Sequence, residues 1–70
     1  MSNWQTVYRT TLPHQAEIVK GVLTNEGLSA IVLNLQDHAY KFGRVEVKVE
    51  ADHVLRALKI IEEEIRFGNE

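Results

Sequence analysis

From Arg44 to Glu50 the chain alternates without a break. Val45, Val47 and Val49 fall on one side, and Arg44, Glu46, Lys48 and Glu50 on the other. This two-residue period is the signature of a strand with one buried and one wet face. A second run, Leu28 to Leu35, is apolar on both sides: Ala30 and Val32 on one, Ile31 and Leu33 on the other. An antiparallel strand with one solvated face would alternate, so both faces of this run call for cover.

Trp4 to Thr10 reads as a further strand, rich in β-branched and aromatic residues. Simple alternation puts Trp4, Thr6 and Tyr8 on one face and Gln5, Val7 and Arg9 on the other. Which face meets the core stays open. Thr11-Leu12-Pro13 stops this strand. Thr11 is suited to cap a helix, and Pro13 to occupy its first turn. Leu12, Ala16, Val19 and Leu23 then recur at helical spacing, and Gly27 is placed just past the helix end. After the alternating strand, Ala51-Asp52 opens a second helix with Asp52 as expected cap. Its stripe is Val54, Leu58, Ile61 and Ile65, widened by Leu55 and Ala57, and Gly68 ends it. Glu62, Glu63 and Glu64 form a solvated acidic face near its C-terminus, where negative charge gains nothing from the helix dipole.

The order strand, helix, strand, strand, helix has one natural packing under short connections and right-handed crossovers. Strand three lies between strands one and two, antiparallel to both. The expected fold is α+β: a ferredoxin-like βαββα two-layer sandwich, sheet order 1-3-2, both helices on one face, lacking the last strand of the full motif. Seventy residues make a single domain, 1–70. A chain this short buries only about 60% of its unfolded surface. With no cysteine to staple it, close packing and self-association are the remaining stabilisers.

The net charge of −2, with both signs interspersed, argues against nucleic acid and against a polybasic membrane anchor. The first residues lack the charged and apolar regions of a signal peptide, and no apolar run approaches membrane-spanning length. The expected location is cytoplasmic.

The richest collection of side-chain chemistry is the connection Leu35–Gly43, with Asp37, His38, Tyr40 and Lys41. The topology places it beside the start of the first helix, near His14 and Gln15. A helix N-terminus presents unpaired N–H groups, so these six residues could complete a polar pocket for a ligand or partner. The competing reading is a turn, with Asp37 and His38 bending the chain and Tyr40 and Phe42 packing down as a lid. His14, His38 and Asp37 are also the one cluster suited to a metal, although no pair has helical ligand spacing. No metal or cofactor is expected.

Catalysis finds little support. Ser2 and Ser29 have no visible base, and the four glycines form no phosphate loop. Gly21, inside the first helix, would permit close approach to the sheet at a helix-propensity cost of about 1 kcal/mol. Glu46 and Glu50 read as ion-pair partners of Lys48 and Arg44 rather than as an acid/base pair.

Three segments also carry a resemblance: Val7-Tyr8-Arg9-Thr10, Gln15 through Leu23, and Glu26-Gly27-Leu28-Ser29-Ala30. Together with Asn34, Gln36-Asp37, Tyr40, Phe42-Gly43 and Val45-Glu46-Val47, they resemble a family of small prokaryotic signal-transducing domains of unknown function. That family is compared with nitrogen-regulatory PII proteins because of its ferredoxin-like fold, and this chain looks like its short-loop bacterial branch. The resemblance runs from about Trp4 to Ile65. It implies signalling, and it carries no catalytic residue or cofactor onto this chain. The fourth strand and long loop of true PII proteins are missing, so ATP or 2-oxoglutarate binding is not implied.

The functional expectation is a non-enzymatic regulatory or protein-interaction module. The alternative is a small-ligand or metal-ion sensor at the loop 35–43 end of the sheet. A homodimer is expected, formed through the open sheet face or the strand-one edge by Trp4, Thr6, Tyr8, Arg44, Glu46 and Lys48.

Overall fold

The structure, a computed structural model, describes residues 3–37 and 42–65. The elements are β1 (Trp4–Thr10), α1 (Pro13–Asn25), β2 (Ala30–Asp37), β3 (Phe42–Glu50), a 3₁₀ turn (Ala51–His53) and α2 (Val54–Glu64). The sheet has the order β1-β3-β2, with β3 antiparallel to both neighbours. This is the expected ferredoxin-like arrangement, with the sheet open.

The valines of the alternating strand build the core. Val45, Val47 and Val49 are buried with Ala16, Val19 and Leu23 of α1, Leu28, and Ala57 and Ile60 of α2. Both helices therefore cover the same face of the sheet. No helix among the described residues is long and apolar enough to cross a membrane.

The C-terminus of α1 closes as its sequence predicts. Gly27 takes φ 91°. Its N–H donates to the Thr24 carbonyl, and the Leu28 N–H reaches back to the Leu23 carbonyl, each at 3.0 Å. This pair of bonds is the Schellman motif, and Leu23 and Leu28 supply its buried apolar contact. Leu28 thus belongs to the helix cap, and β2 begins two residues later than its apolar run suggests. Arg56 of α2 adds a bond from Nη2 to the Glu26 carbonyl at 3.0 Å.

The N-termini differ from expectation. Leu12, not Thr11, is the N-cap of α1, without a side-chain cap. Instead Thr10 Oγ1 accepts from the Leu12 N–H at 3.0 Å, fixing the turn between strand and helix. Asp52 lies inside the 3₁₀ turn and makes no cap bond to α2, which starts at Val54. That helix stops at Glu64, before Gly68, and residues 66–70 lie outside the described set.

The core-facing stripe of α2 keeps Val54, Ala57, Ile61 and Ile65 from the expected set, adds Ile60 and loses Leu55 and Leu58. Ala57 and Ile60 are buried, whereas Leu58 is exposed and Leu55 is 83% exposed. Apolar residues cover more than half of this helix, so periodicity alone fits two neighbouring stripes. Gly21 is exposed, and a Cβ built on it would meet nothing within 4 Å. It permits no close approach to the sheet; it lines a shallow groove with Glu17, Lys20, Thr24 and Asn25.

Candidate functional site

The face of the sheet turned away from the helices is organised by an extra residue in β1. Thr6 pairs with Lys48, but the next paired residue is Tyr8, opposite Val47. Val7 is therefore a β-bulge, which inserts one unpaired residue and inverts the side-chain alternation beyond it. Residues opposite one another share a face. Trp4, Thr6 and Arg9 accordingly lie on the open face beside Glu50, Lys48 and Glu46, while Tyr8 and Thr10 turn towards the helices. Tyr8 packs against the core and leaves the dimer surface expected for it. Arg9 takes a place on that surface which strict alternation had denied it. The sequence signal was the adjacent apolar pair Val7-Tyr8, a break in an otherwise alternating run.

Glu46 is the centre of this face. It is a charged residue only 6% exposed. Arg9 Nε donates to its Oε2 at 3.2 Å, and Arg44 Nε lies 3.1 Å from the same oxygen. Thr6 Oγ1 donates to Oε1 at 3.1 Å. Lys48 Nζ lies 3.7 Å from Oε1 and donates to Thr6 Oγ1 at 2.7 Å. A buried carboxylate is tolerated only when paired and hydrogen-bonded in this way. Desolvation pushes the Glu46 carboxyl up. The hydrogen bonds from Thr6 and Arg9 and the charges of Arg44 and Lys48 outweigh it, holding the group below the usual carboxylate range.

Along β2 the face is apolar. Ile31 stands opposite Lys48, Leu33 opposite Glu46 and Leu35 opposite Arg44. Leu33 and Leu35 are 37% and 38% exposed. The face thus has a charged central column on β3, an apolar column on β2 and a mixed column on β1. Neither β1 nor β2 has a strand partner on its outer edge among the described residues.

At the helix-one end of the sheet, side-chain hydrogen bonds fasten β1 to α1. The Tyr8 hydroxyl donates to Gln15 Oε1 at 3.4 Å, and Thr10 Oγ1 donates to the same oxygen at 2.9 Å. Gln15 thereby ties β1 to α1, and burial pushes the Tyr8 phenol above its usual range. His14 is exposed on the first turn. The β2–β3 ladder runs on to Asp37 opposite Phe42. Leu35, Gln36, Asp37, Phe42 and Gly43 therefore belong to strands, and the expected long loop is shorter than read. His38, Tyr40 and Lys41 lie outside the described residues. No group of three or more His, Cys, Asp or Glu suited to a metal occurs among the described residues. At the opposite end of the sheet, beyond Glu50, His53 Nδ1 is buried without a hydrogen-bond partner among the described residues.

The sequence profile of the family described as "Putative prokaryotic signal transducing protein" matches residues 4–65. The chain belongs to this family. No curated protein and no solved structure matches it. The family match spans every element from β1 to α2, so the open face and its Glu46 cluster lie within the family's domain. The family's description gives signal transduction as the role and names no ligand or reaction.

Proposed function

We propose that this member of the signal-transducing family is a non-enzymatic contact module of the cytoplasm, working as a homodimer through its open sheet face. The observation that carries this reading is the construction of that face. Three cationic side chains surround one buried carboxylate, directly beside the half-exposed column of Leu33 and Leu35. An apolar column bordered on one side by oriented charge offers both the apolar area and the polar partners that a protein contact surface uses. A polar cluster that fixes its own geometry before contact lowers the ordering cost of association. The other end of the sheet supports a sensor less well, because Gln15 spends its carboxamide oxygen on Tyr8 and Thr10.

Sedimentation velocity over a dilution series tests the proposal. A reversible monomer–dimer equilibrium is expected, weakened by Leu33→Glu. A monomer at every concentration would overturn it.

A further inference from the structure

We infer that the open face binds a second copy of this chain about a two-fold axis lying in the plane of the contact, perpendicular to the strands, and crossing β3 between Glu46 and Lys48. This rests on the homodimer reading above and adds the operator and the contacts.

The argument is the charge order along β3. On the open face it reads Arg44 plus, Glu46 minus, Lys48 plus, Glu50 minus. Reversed, the same four positions read minus, plus, minus, plus. Along β3, a second copy laid antiparallel on the first therefore meets opposite charge at each of the four positions. The exposed Arg44 faces Glu50 of the second copy, and the row of the largely covered Glu46 lies over the row of Lys48. Each contact occurs twice, as an isologous interface requires.

The same operation keeps each column over its own counterpart. The apolar β2 column meets itself, Leu33 over Ile31 and Ile31 over Leu33. On β1, Arg9 of one copy lies over Thr6 of the other. The alternatives fail on the same residues. An axis parallel to the strands puts Arg44 over Arg44 and Glu46 over Glu46. An axis centred on one residue of β3 repeats that clash at its own row. Like charges juxtaposed at an interface work against a pairing.

The size of the face sets the strength. Three strands about 4.8 Å apart over four alternating rows give a footprint of roughly 300 Å². Counted on both copies this is about 600 Å², below the size of standard specific interfaces, so the dimer is expected to be weak and transient, populated only at high concentration. Twisted sheets stack with their strands about 30° apart, which makes the Glu46–Lys48 rows the centre and the Arg44–Glu50 rows the rim.

The test is charge reversal with complementation, read by sedimentation velocity and native mass spectrometry. Arg44→Glu and Glu50→Arg should each weaken self-association at least about tenfold. Mixed one to one, the two variants should form a heterodimer of near wild-type affinity, because both rim contacts become attractive again. Weakening of both singles without recovery in the mixture overturns the antiparallel operator. Wild-type association that neither single disturbs overturns the inference and leaves the homodimer reading standing. A wild-type chain that stays monomeric overturns both. Thermal melts check that the variants fold. If Arg44→Glu does not, Leu33→Glu at the half-exposed apolar column replaces it, and undiminished self-association then overturns the inference.

Discussion

Arg9 and Glu46 meet across β1 and β3, Nε 3.2 Å from Oε2, because β1 carries one residue more than its partner strand between Thr6 and Tyr8. The bulge at Val7 sends Tyr8 inward to the helices and Arg9 outward to the carboxylate. One extra residue thus decides both what completes the core and what builds the open face.

Deleting Val7 should preserve this arrangement. Thr6 and Tyr8 would become consecutive, and each would keep its present face. The variant should fold, less stably by the loss of one half-buried valine, about 1–2 kcal/mol. Nuclear Overhauser contacts from Tyr8 to Gln15 and from Arg9 to Glu46 report the outcome. A register slip that moves Arg9 off Glu46 would show that Val7 does more than occupy the bulge.

Glu46 makes stability depend on pH in a stated direction. Its carboxyl is held below the usual range in the folded chain. The unfolded chain then binds the proton more readily, so stability rises with pH across the interval between the two pKa values. The contribution is fully present above about 4.3, the ordinary glutamate value. It is lost as pH falls through the lower folded value. Denaturant melts of the wild type and Glu46→Gln between pH 7 and pH 3 should show a smaller acid-side loss in the variant. Equal slopes would mean that the cation cluster does not favour the ionised form.

Gly21 within α1 and Gly27 just past its end should respond oppositely to alanine. Gly27 sits at positive φ, where a side chain costs roughly 1–2 kcal/mol. Gly21 is exposed, helical and surrounded by open space. Alanine there should stabilise the domain by about 0.5–1 kcal/mol. Chemical denaturation of both variants measures the two signs.

On the same grounds, Leu23→Ala and Leu55→Ala should separate widely. Leu23 is fully buried between helix and sheet, and its truncation should cost about 2–5 kcal/mol. Leu55 stands in solvent, and its truncation should stay within about 0.5 kcal/mol. A large loss at Leu55 would show that the buried stripe of α2 is as wide as simple periodicity made it.

These contrasts mark what was legible in the chain. Val45, Val47 and Val49 alternate with charges, so their burial and the central place of β3 follow from the pattern. Gly27 announces a left-handed residue because glycine reaches positive φ without a Cβ penalty. The face of β1 was not legible, since alternation is a rule of strict register and Val7 breaks the register. The stripe of α2 was ambiguous because Leu55 and Leu58 are as apolar as Val54 and Ile61. The Glu46 cluster was half legible. Its lysine and arginine neighbours stand two residues away on the same strand, while Thr6 and Arg9 arrive through the tertiary fold.

The most direct test of the account is an amide chemical-shift dilution series on the labelled wild-type chain. Ile31, Leu33, Glu46 and Lys48 should move together with concentration along one two-state curve, while Gly21 and Leu55 stay fixed. Invariant spectra up to millimolar concentration, or shifts confined to the helices, would contradict the open sheet face as the contact surface.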